Sequence, residues 1–226
     1  MWPGATLAHH LGIQIPAMPL DLLIHDWPLP YSERLTPRPV SAITLVVIHC
    51  TELPDLATAR AYGERVLYLD SGTGNSGHYY IDRDGRVHRF VPVERVAHHT
   101  RGYNPQSIGI ELDNRGRYPD WLDSRRQEMK EPYTEPQLAA LAALLGDLRR
   151  RLPNLQYIAG HEDLDTEEIA ASDDPSQRVR RKRDPGPRFP WPRFERLGLS
   201  RLGMPTSSQA VPAHPPPEGG PIAADD

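Results

Sequence analysis

The chain contains the stretch Ile43-Thr44-Leu45-Val46-Val47-Ile48, a run of mostly apolar, β-branched side chains that His49 follows directly. Such a run is typical of a buried strand. A second short run, Tyr157-Ile158-Ala159-Gly160, leads into His161 in the same way. Because strand ends can hold side chains toward a shared pocket, the sequence predicts that the two histidines meet.

Asp184 is the third candidate for this pocket, and it opens the sequence Asp184-Pro185-Gly186-Pro187. Two imidazoles, one carboxylate and a fourth position left to water make up the ligand set of a catalytic zinc site. Each residue also has a structural alternative. His49 and His161 could be hydrogen-bonded core histidines, and Asp184 could be a helix N-cap or a turn residue. Cys50 is predicted to be a small buried hydrophobe rather than a fourth ligand, because adjacent strand residues point to opposite faces.

The remaining periodicity predicts the fold class. Strands are predicted at residues 78–82, 86–91 and 107–112, the first two forming a hairpin around Asp84-Gly85. Thr134 and Gln137 form a capping-box pattern that begins a leucine-rich helix ending before Pro153. Helical character is also present at residues 55–69, interrupted by Gly63, and at residues 191–197. Strands alternating with helices predict an α/β fold, a single domain with a mixed central β-sheet and helices on both faces.

The length of 226 residues suits one domain with appendages. The domain is predicted to cover residues 26–198. Residues 1–25 have no strong periodicity and are expected to be a poorly structured leader. Residues 199–226 are rich in proline, serine, alanine and glycine, and a disordered tail is expected there.

Charge and composition narrow the functional class. The net charge of −4 gives no reason to expect a nucleic-acid partner. Cys50 is the single cysteine, so an internal disulfide is impossible. No stretch approaches the ~20 apolar residues of a membrane span. The first ten residues lack a basic region followed by an apolar core, so no secretory signal is predicted and a cytoplasmic location is expected.

Five segments resemble, in order, those of the zinc-dependent N-acetylmuramoyl-L-alanine amidases. That family includes phage lysozyme-type amidases, peptidoglycan recognition proteins and the cytosolic amidases that recycle anhydro-muropeptides, to which the motifs are most similar. The segments span roughly residues 43–194 and read Val47-Ile48-His49-Cys50-Thr51, Ser76-Gly77-His78-Tyr79-Tyr80-Ile81-Asp82-Arg83-Asp84-Gly85, Ser107-Ile108-Gly109-Ile110-Glu111-Leu112, Gly160-His161-Glu162-Asp163 and Lys182-Arg183-Asp184-Pro185-Gly186-Pro187-Arg188-Phe189-Pro190-Trp191.

The resemblance implies a Zn²⁺ ion held by His49, His161 and Asp184. It also implies that Glu111 is the general base and that Lys182 stabilises the tetrahedral oxyanion. The structural alternatives are a buried ion pair for Glu111 and a solvated basic run for Lys182.

Three further positions follow from the same resemblance. Phage relatives rely on a tyrosine where this chain has Gly77. Glu111 is therefore the only evident base. His99 corresponds to a histidine on the substrate side. His78 matches a family position that lines the substrate or lies behind the ligands, and hydrogen bonding within the sheet is an equal alternative for it.

The implied reaction is hydrolysis of the amide between N-acetylmuramic acid and the L-alanine of the stem peptide. The absence of a visible export signal and the set of Glu111, Lys182 and Asp184 favour soluble 1,6-anhydro-muropeptides. The alternatives are a lytic amidase acting on intact peptidoglycan and a non-catalytic recognition module. A third interpretation, a nucleic-acid-binding protein, would rest on the basic residues 180–183 alone. The filled catalytic positions favour an enzyme.

One segment departs from the recycling relatives. Residues 162–181 form a long polar connection between His161 and Lys182, where those relatives have a shorter one. Because both ends lead to candidate site residues, this connection is expected to lie over or beside the pocket. It either contacts the carboxylates of the stem peptide or is a solvated excursion. Oligomeric state and stem-peptide preference are not predicted.

Overall fold

The computed structural model describes residues 22–203, so most of the predicted leader and tail lies outside the described residues. The strands are β1 (Ile24–Asp26), β2 (Leu45–Cys50), β3 (Tyr79–Ile81), β4 (Val87–Arg89), β5 (Ser107–Leu112), β6 (Tyr157–Gly160), β7 (Glu168–Ala170), β8 (Arg178–Arg180) and β9 (Ser200–Arg201). The α-helices are α1 (Leu56–Gly63), α2 (Glu135–Arg151) and α3 (His161–Leu164). Short 3₁₀ helices lie at Ser32–Arg34, Val40–Ala42, Asn104–Gln106, Trp191–Arg193 and Glu195–Leu197.

Seven strands form one mixed sheet in the order β1-β4-β3-β5-β2-β6-β9, and β7 and β8 form a separate hairpin. β3 and β4 pair antiparallel, as predicted for the hairpin around Asp84-Gly85, and the other pairs in the large sheet are parallel. β2 lies between β5 and β6, with Ile48 opposite both Ile110 and Gly160. Because parallel strands end at the same edge, this arrangement gathers the carboxyl ends of β2, β5 and β6.

The alternation of β2 decides which way His49 points. The strand is buried along its whole length. Val46 and Ile48 belong to the large core cluster that includes the leucines of α2, whereas Leu45 and Val47 belong to a small cluster of their own. By the two-residue period, His49 shares the face of Val47, away from α2. Cys50 joins the α2 cluster, as predicted.

Helices cover both faces of the sheet, as predicted. On one face α2 buries the leucines Leu138, Leu141, Leu144, Leu145 and Leu148, each worth about 1.5–3 kcal/mol of hydrophobic free energy. Thr134 and Gln137 form the predicted capping box at its N-terminus. On the other face, Leu56 and Ala59 of α1 pack in a cluster with Tyr80 of β3.

Two predicted helices differ from those in the structure. α1 ends at Gly63, where the sequence predicts an interruption, but no helix resumes between Gly63 and Leu69. Glycine is a poor helix former, and the Tyr31 hydroxyl donates to the Gly63 carbonyl at 2.6 Å. Residues 191–197 form two 3₁₀ turns instead of one helix.

The sheet also extends past both predicted domain boundaries, to Ile24 on one side and Arg201 on the other. Strands of two or three residues carry too little alternation to be recognised in a sequence. Within residues 22–203, no helix combines the length and the apolar character needed to cross a membrane.

Candidate active site

The three predicted metal ligands meet at one point. His49 lies near the end of β2, His161 is the first residue of α3 directly after β6, and Asp184 follows β8. The Oδ2 atom of Asp184 lies 2.8 Å from His49 Nδ1 and 3.2 Å from His161 Nδ1. One donor atom from each residue falls within 4.8 Å of the others, and all three side chains are buried.

Backbone contacts fix Asp184 beside the histidines. Its carbonyl accepts a hydrogen bond from the Glu162 amide at 2.9 Å, which ties it to α3. The Tyr133 hydroxyl donates to the Pro185 carbonyl at 2.7 Å. Asp184 is therefore held by the chain on both sides although it lies 23 residues from His161.

The protonation states of His49 and Asp184 are those that favour binding of a metal cation. Burial lowers the pKa of His49 to about 4, although its hydrogen bond to Asp184 acts in the opposite direction. Burial alone would raise the pKa of the Asp184 carboxyl, but the charges and hydrogen bonds of His161 and His49 hold it well below its usual range. A neutral imidazole and an ionised carboxylate are the forms that bind a metal ion.

The donor set itself fits a metal. The Nε2 atom of His161 is buried and has no hydrogen-bond partner among the described residues. A buried polar nitrogen left in this way is costly unless something binds it. Within residues 22–203, His49, His161 and Asp184 are the one group of three or more histidine, cysteine or acidic residues close enough to share an ion. Cys50 does not belong to it, and burial raises the pKa of its thiol well above the usual value.

Glu111 lies beside the ligands because β5 pairs with β2. His49 and Glu111 are direct partners in the parallel register, and Glu111 Oε1 is 3.9 Å from His49 Nδ1. The pKa of Glu111 is raised to about 8, mainly by burial and also by the negative charges of Asp184 and Glu52, while the positive charge of Lys182 acts in the opposite direction. The side chain still keeps 14% of its surface exposed, so a substrate can reach it.

Gly77 makes room for that carboxylate. A Cβ atom at position 77 would lie 2.9 Å from Glu111 Cγ and 3.2 Å from the Gly109 carbonyl oxygen. A side chain at position 77 therefore collides with Glu111 as it is oriented here.

Lys182 lies within electrostatic reach of the same residues. Burial is the largest cause of the pKa shifts of His49 and Glu111, and the positive charge of Lys182 lowers both pKa values. Its side chain is partly exposed. Among the described residues no hydrogen bond or ion pair of its ammonium group is found, so no carboxylate among them neutralises this cation in a salt bridge.

His99 contacts the ligand shell directly. Its Nδ1 atom lies 3.0 Å from His49 Nε2, the ring nitrogen opposite the one that faces Asp184. A partner on the second nitrogen of a ligating histidine fixes the orientation of the ring. The ring packs on bare backbone, since a Cβ at Gly109 would lie 2.6 Å from His99 Cγ. Asn104 holds the loop by accepting from the amides of His99 and Thr100.

His78 has contacts that support the structural alternative. It is fully buried; its Nδ1 accepts from the Gly109 amide at 3.1 Å, and its Nε2 lies 3.0 Å from the Arg95 carbonyl oxygen. Arg38, also buried, lies 2.8 Å from the same Nε2. These contacts are those of the alternative, hydrogen bonding within the sheet, and the substrate-lining role of His78 stays a prediction.

The predicted long connection is an ordered arm. Residues 162–181 contain α3 except for its first residue, His161, and the β7-β8 hairpin. The arm contacts the loop after β5, where the Ser172 amide donates to the Leu122 carbonyl at 2.9 Å and the Ser124 amide donates to Asp173 at 2.6 Å. Arg117 and Glu52, which no sequence signal singled out, lie where this arm meets the site.

Comparison with known proteins agrees with this geometry. The family model described as N-acetylmuramoyl-L-alanine amidase matches residues 39–187, a range that includes all three candidate ligands, Glu111 and Lys182. The chain belongs to this family.

Individual relatives are more distant. The chain is 32% identical over 123 residues to the N-acetylmuramoyl-L-alanine amidase AmiD of Escherichia coli K12, covering 50% of this chain and 38% of the relative. It is 32% identical over 126 residues to the 1,6-anhydro-N-acetylmuramyl-L-alanine amidase AmpD of Enterobacter cloacae, covering 52% and 54%. The chain thus spans about half or less of the length of these curated relatives.

A solved structure is similar over a larger part of the chain. It is the complex of E. coli AmiD with anhydro-N-acetylmuramic acid-L-Ala-D-γ-Glu-L-Lys. The match has a TM-score of 0.53 and 26% identity, and it covers 72% of this chain and 59% of that one.

Proposed function

We propose that this protein is a zinc-dependent amidase that hydrolyses the bond between the lactyl group of N-acetylmuramic acid and the L-alanine of the stem peptide. The observation that carries the proposal is the convergence of His49, His161 and Asp184 beside Glu111 in a chain of the amidase family. A recognition module has no need of a buried base beside a metal-binding set, which argues against the non-catalytic alternative.

Each residue has a defined task in this reaction. His49, His161 and Asp184 would hold the zinc ion, which as a Lewis acid polarises the scissile carbonyl and acidifies a water molecule. Glu111 takes the proton of the attacking water and delivers one to the leaving amine. Lys182 offers a positive charge to the oxyanion that develops on the carbonyl oxygen. His99 orients the His49 ring.

The substrate that we propose is a soluble 1,6-anhydro-muropeptide. Support comes from the name of the AmpD relative and from the anhydro-muropeptide bound in the AmiD complex. A cytoplasmic location belongs to the same proposal and rests on the sequence expectation alone. The zinc-loaded protein should release stem peptide from anhydro-muropeptides with a kcat/KM at least about tenfold above that for reducing-end muropeptides, equal to ~1.4 kcal/mol.

This preference is tested by incubating the protein with the two muropeptides and with intact sacculi, and by mass spectrometry of the products. Equal rates on both muropeptides, or efficient release of peptide from sacculi, would contradict the recycling role and favour the lytic alternative. Binding of muropeptide without any cleavage would support a recognition module instead.

Replacing Lys182 tests the oxyanion role. Lys182→Ala should keep zinc and lower kcat by on the order of 10², because a positive charge aimed at the oxyanion is lost. The matched control is Lys130→Ala, which removes an exposed lysine paired with Glu128 and should leave kcat unchanged. Steady-state kinetics distinguish the roles: an effect on KM alone would identify Lys182 as a substrate clamp.

A further inference from the structure

Lys182 lies on a short segment that is anchored at both ends. On its far side, Asp184 is hydrogen-bonded to both histidines and to the amide of Glu162. On its near side, β8 ends at Arg180 and only Arg181 separates the strand from Lys182. The position of the Lys182 ammonium therefore depends on how the backbone of residues 180–181 is fixed.

Arg117 provides that anchor from the loop after β5. Its Nη1 donates to the carbonyl oxygen of Arg180 at 2.9 Å, and its Nη2 donates to the carbonyl oxygen of Arg181 at 3.2 Å. The Arg117 side chain is almost fully buried, with 1% of its surface exposed. One guanidinium group thus holds the two backbone carbonyls that directly precede Lys182.

Glu52 in turn fixes the guanidinium. Its carboxylate accepts from Arg117 Nε at 2.7 Å and from Nη2 at 2.8 Å, a two-pronged ion pair. The Glu52 carbonyl oxygen accepts from the Trp121 indole at 2.9 Å. Glu52 lies three residues after His49 and has a φ of 49°, in the left-handed region that residues other than glycine seldom adopt. Backbone strain of this kind persists where the surroundings enforce it, and it is concentrated at functional sites.

No other side chain could make this set of bonds. Arginine has five N–H donors in a rigid fork. Two of those of Arg117 go to Glu52, two go to the carbonyls of Arg180 and Arg181, and the fifth goes to Gln127 Oε1 at 3.1 Å. Lysine would keep the charge opposite Glu52, but its single ammonium cannot reach both the carboxylate and the two carbonyls.

We propose that Glu52 and Arg117 form a clasp that positions Lys182 for the stabilisation of the oxyanion. The clasp joins three segments at the site: the loop after His49, the loop after Glu111 and the end of the β7-β8 arm. Arg117 is a positioning residue, since it acts through Lys182. The inference rests on the proposed function only in giving Lys182 its catalytic role.

The test uses Arg117→Lys in the full chain, because this variant keeps a cation opposite Glu52 and so favours folding. It should retain about one zinc per chain and a KM within about twofold, while kcat falls by on the order of tenfold through misplacement of Lys182. The matched control is Arg126→Lys, an exposed arginine of the same loop paired with Asp120, which should match wild type. Wild-type kcat in Arg117→Lys, or loss of its zinc, would overturn the proposal.

A double-mutant cycle separates positioning from a general structural effect. In a Lys182→Ala background, Arg117→Lys should change kcat by less than about twofold, because the group it positions is already absent. An equal loss in both backgrounds would refute the clasp as a device acting through Lys182.

Hydrogen exchange adds a readout that does not depend on activity. In Arg117→Lys, peptides that cover residues 178–184 should exchange faster than in wild type, and Arg126→Lys should leave them unchanged. Unchanged exchange in Arg117→Lys would contradict the clasp. If the single variant Lys182→Ala keeps the wild-type kcat, the proposed catalytic role of Lys182 is wrong. The hydrogen-exchange result then decides by itself whether the clasp orders residues 178–184.

Discussion

His161→Ala should remove both the metal and the activity. The purified protein is expected to contain about one zinc per chain, and the variant less than about a tenth of that, because a three-residue ligand set loses one member. Amide hydrolysis should fall by more than ~10³-fold, since a zinc ion contributes several kcal/mol to transition-state stabilisation. Metal analysis of the dialysed protein and a muropeptide assay measure the two effects.

The control for this variant is His25→Ala, which removes an exposed histidine from the edge strand β1. It should retain both zinc and activity. In the wild-type protein, chelation should abolish turnover and added zinc should restore it. Full amidase activity in a zinc-free protein would contradict the assignment of a catalytic zinc ion, whatever the result for His161→Ala.

The meeting of His49 and His161 was predictable from the sequence because local patterns carried most of the information. The apolar runs before His49 and His161 predict strands, and strands β2 and β6 are indeed neighbours in the parallel sheet. Alternation along β2 also predicted that Cys50 points away from the site, and it packs with α2. Asp184 could be brought to the same point only through the family resemblance, because no local period relates it to β2 or β6.

The parts that could not be predicted depend on contacts between distant segments. Glu52 and Arg117 are 65 residues apart and belong to loops with no periodic signal. The contact between His99 and His49 likewise requires the loop after β4 to fold back over Gly109. The β7-β8 hairpin consists of two strands of three residues each, which is too short for alternation to identify it.

Glu111→Gln is expected to keep the bound zinc and to lose most of the amidase turnover. The amide has nearly the shape of the carboxylate, but it cannot accept a proton, so kcat should fall by roughly 10² to 10⁴ while zinc content remains at the wild-type value. Glu111 is not one of the three converging ligands, which is the reason to expect the metal to remain. Metal analysis and single-turnover kinetics on the same preparation measure both quantities.

The control for Glu111→Gln is Glu195→Gln, which makes the same change on the exposed 3₁₀ helix Glu195–Leu197 and should not affect kcat. Near-normal turnover in Glu111→Gln would transfer the role of base to another group, and His99, next to His49, is the neighbour to test. Loss of zinc in Glu111→Gln would instead make the carboxylate a structural support of the ligands. Because position 77 carries no side chain, it offers no alternative base, and retained zinc with a large loss of kcat is the outcome that identifies Glu111 as the base.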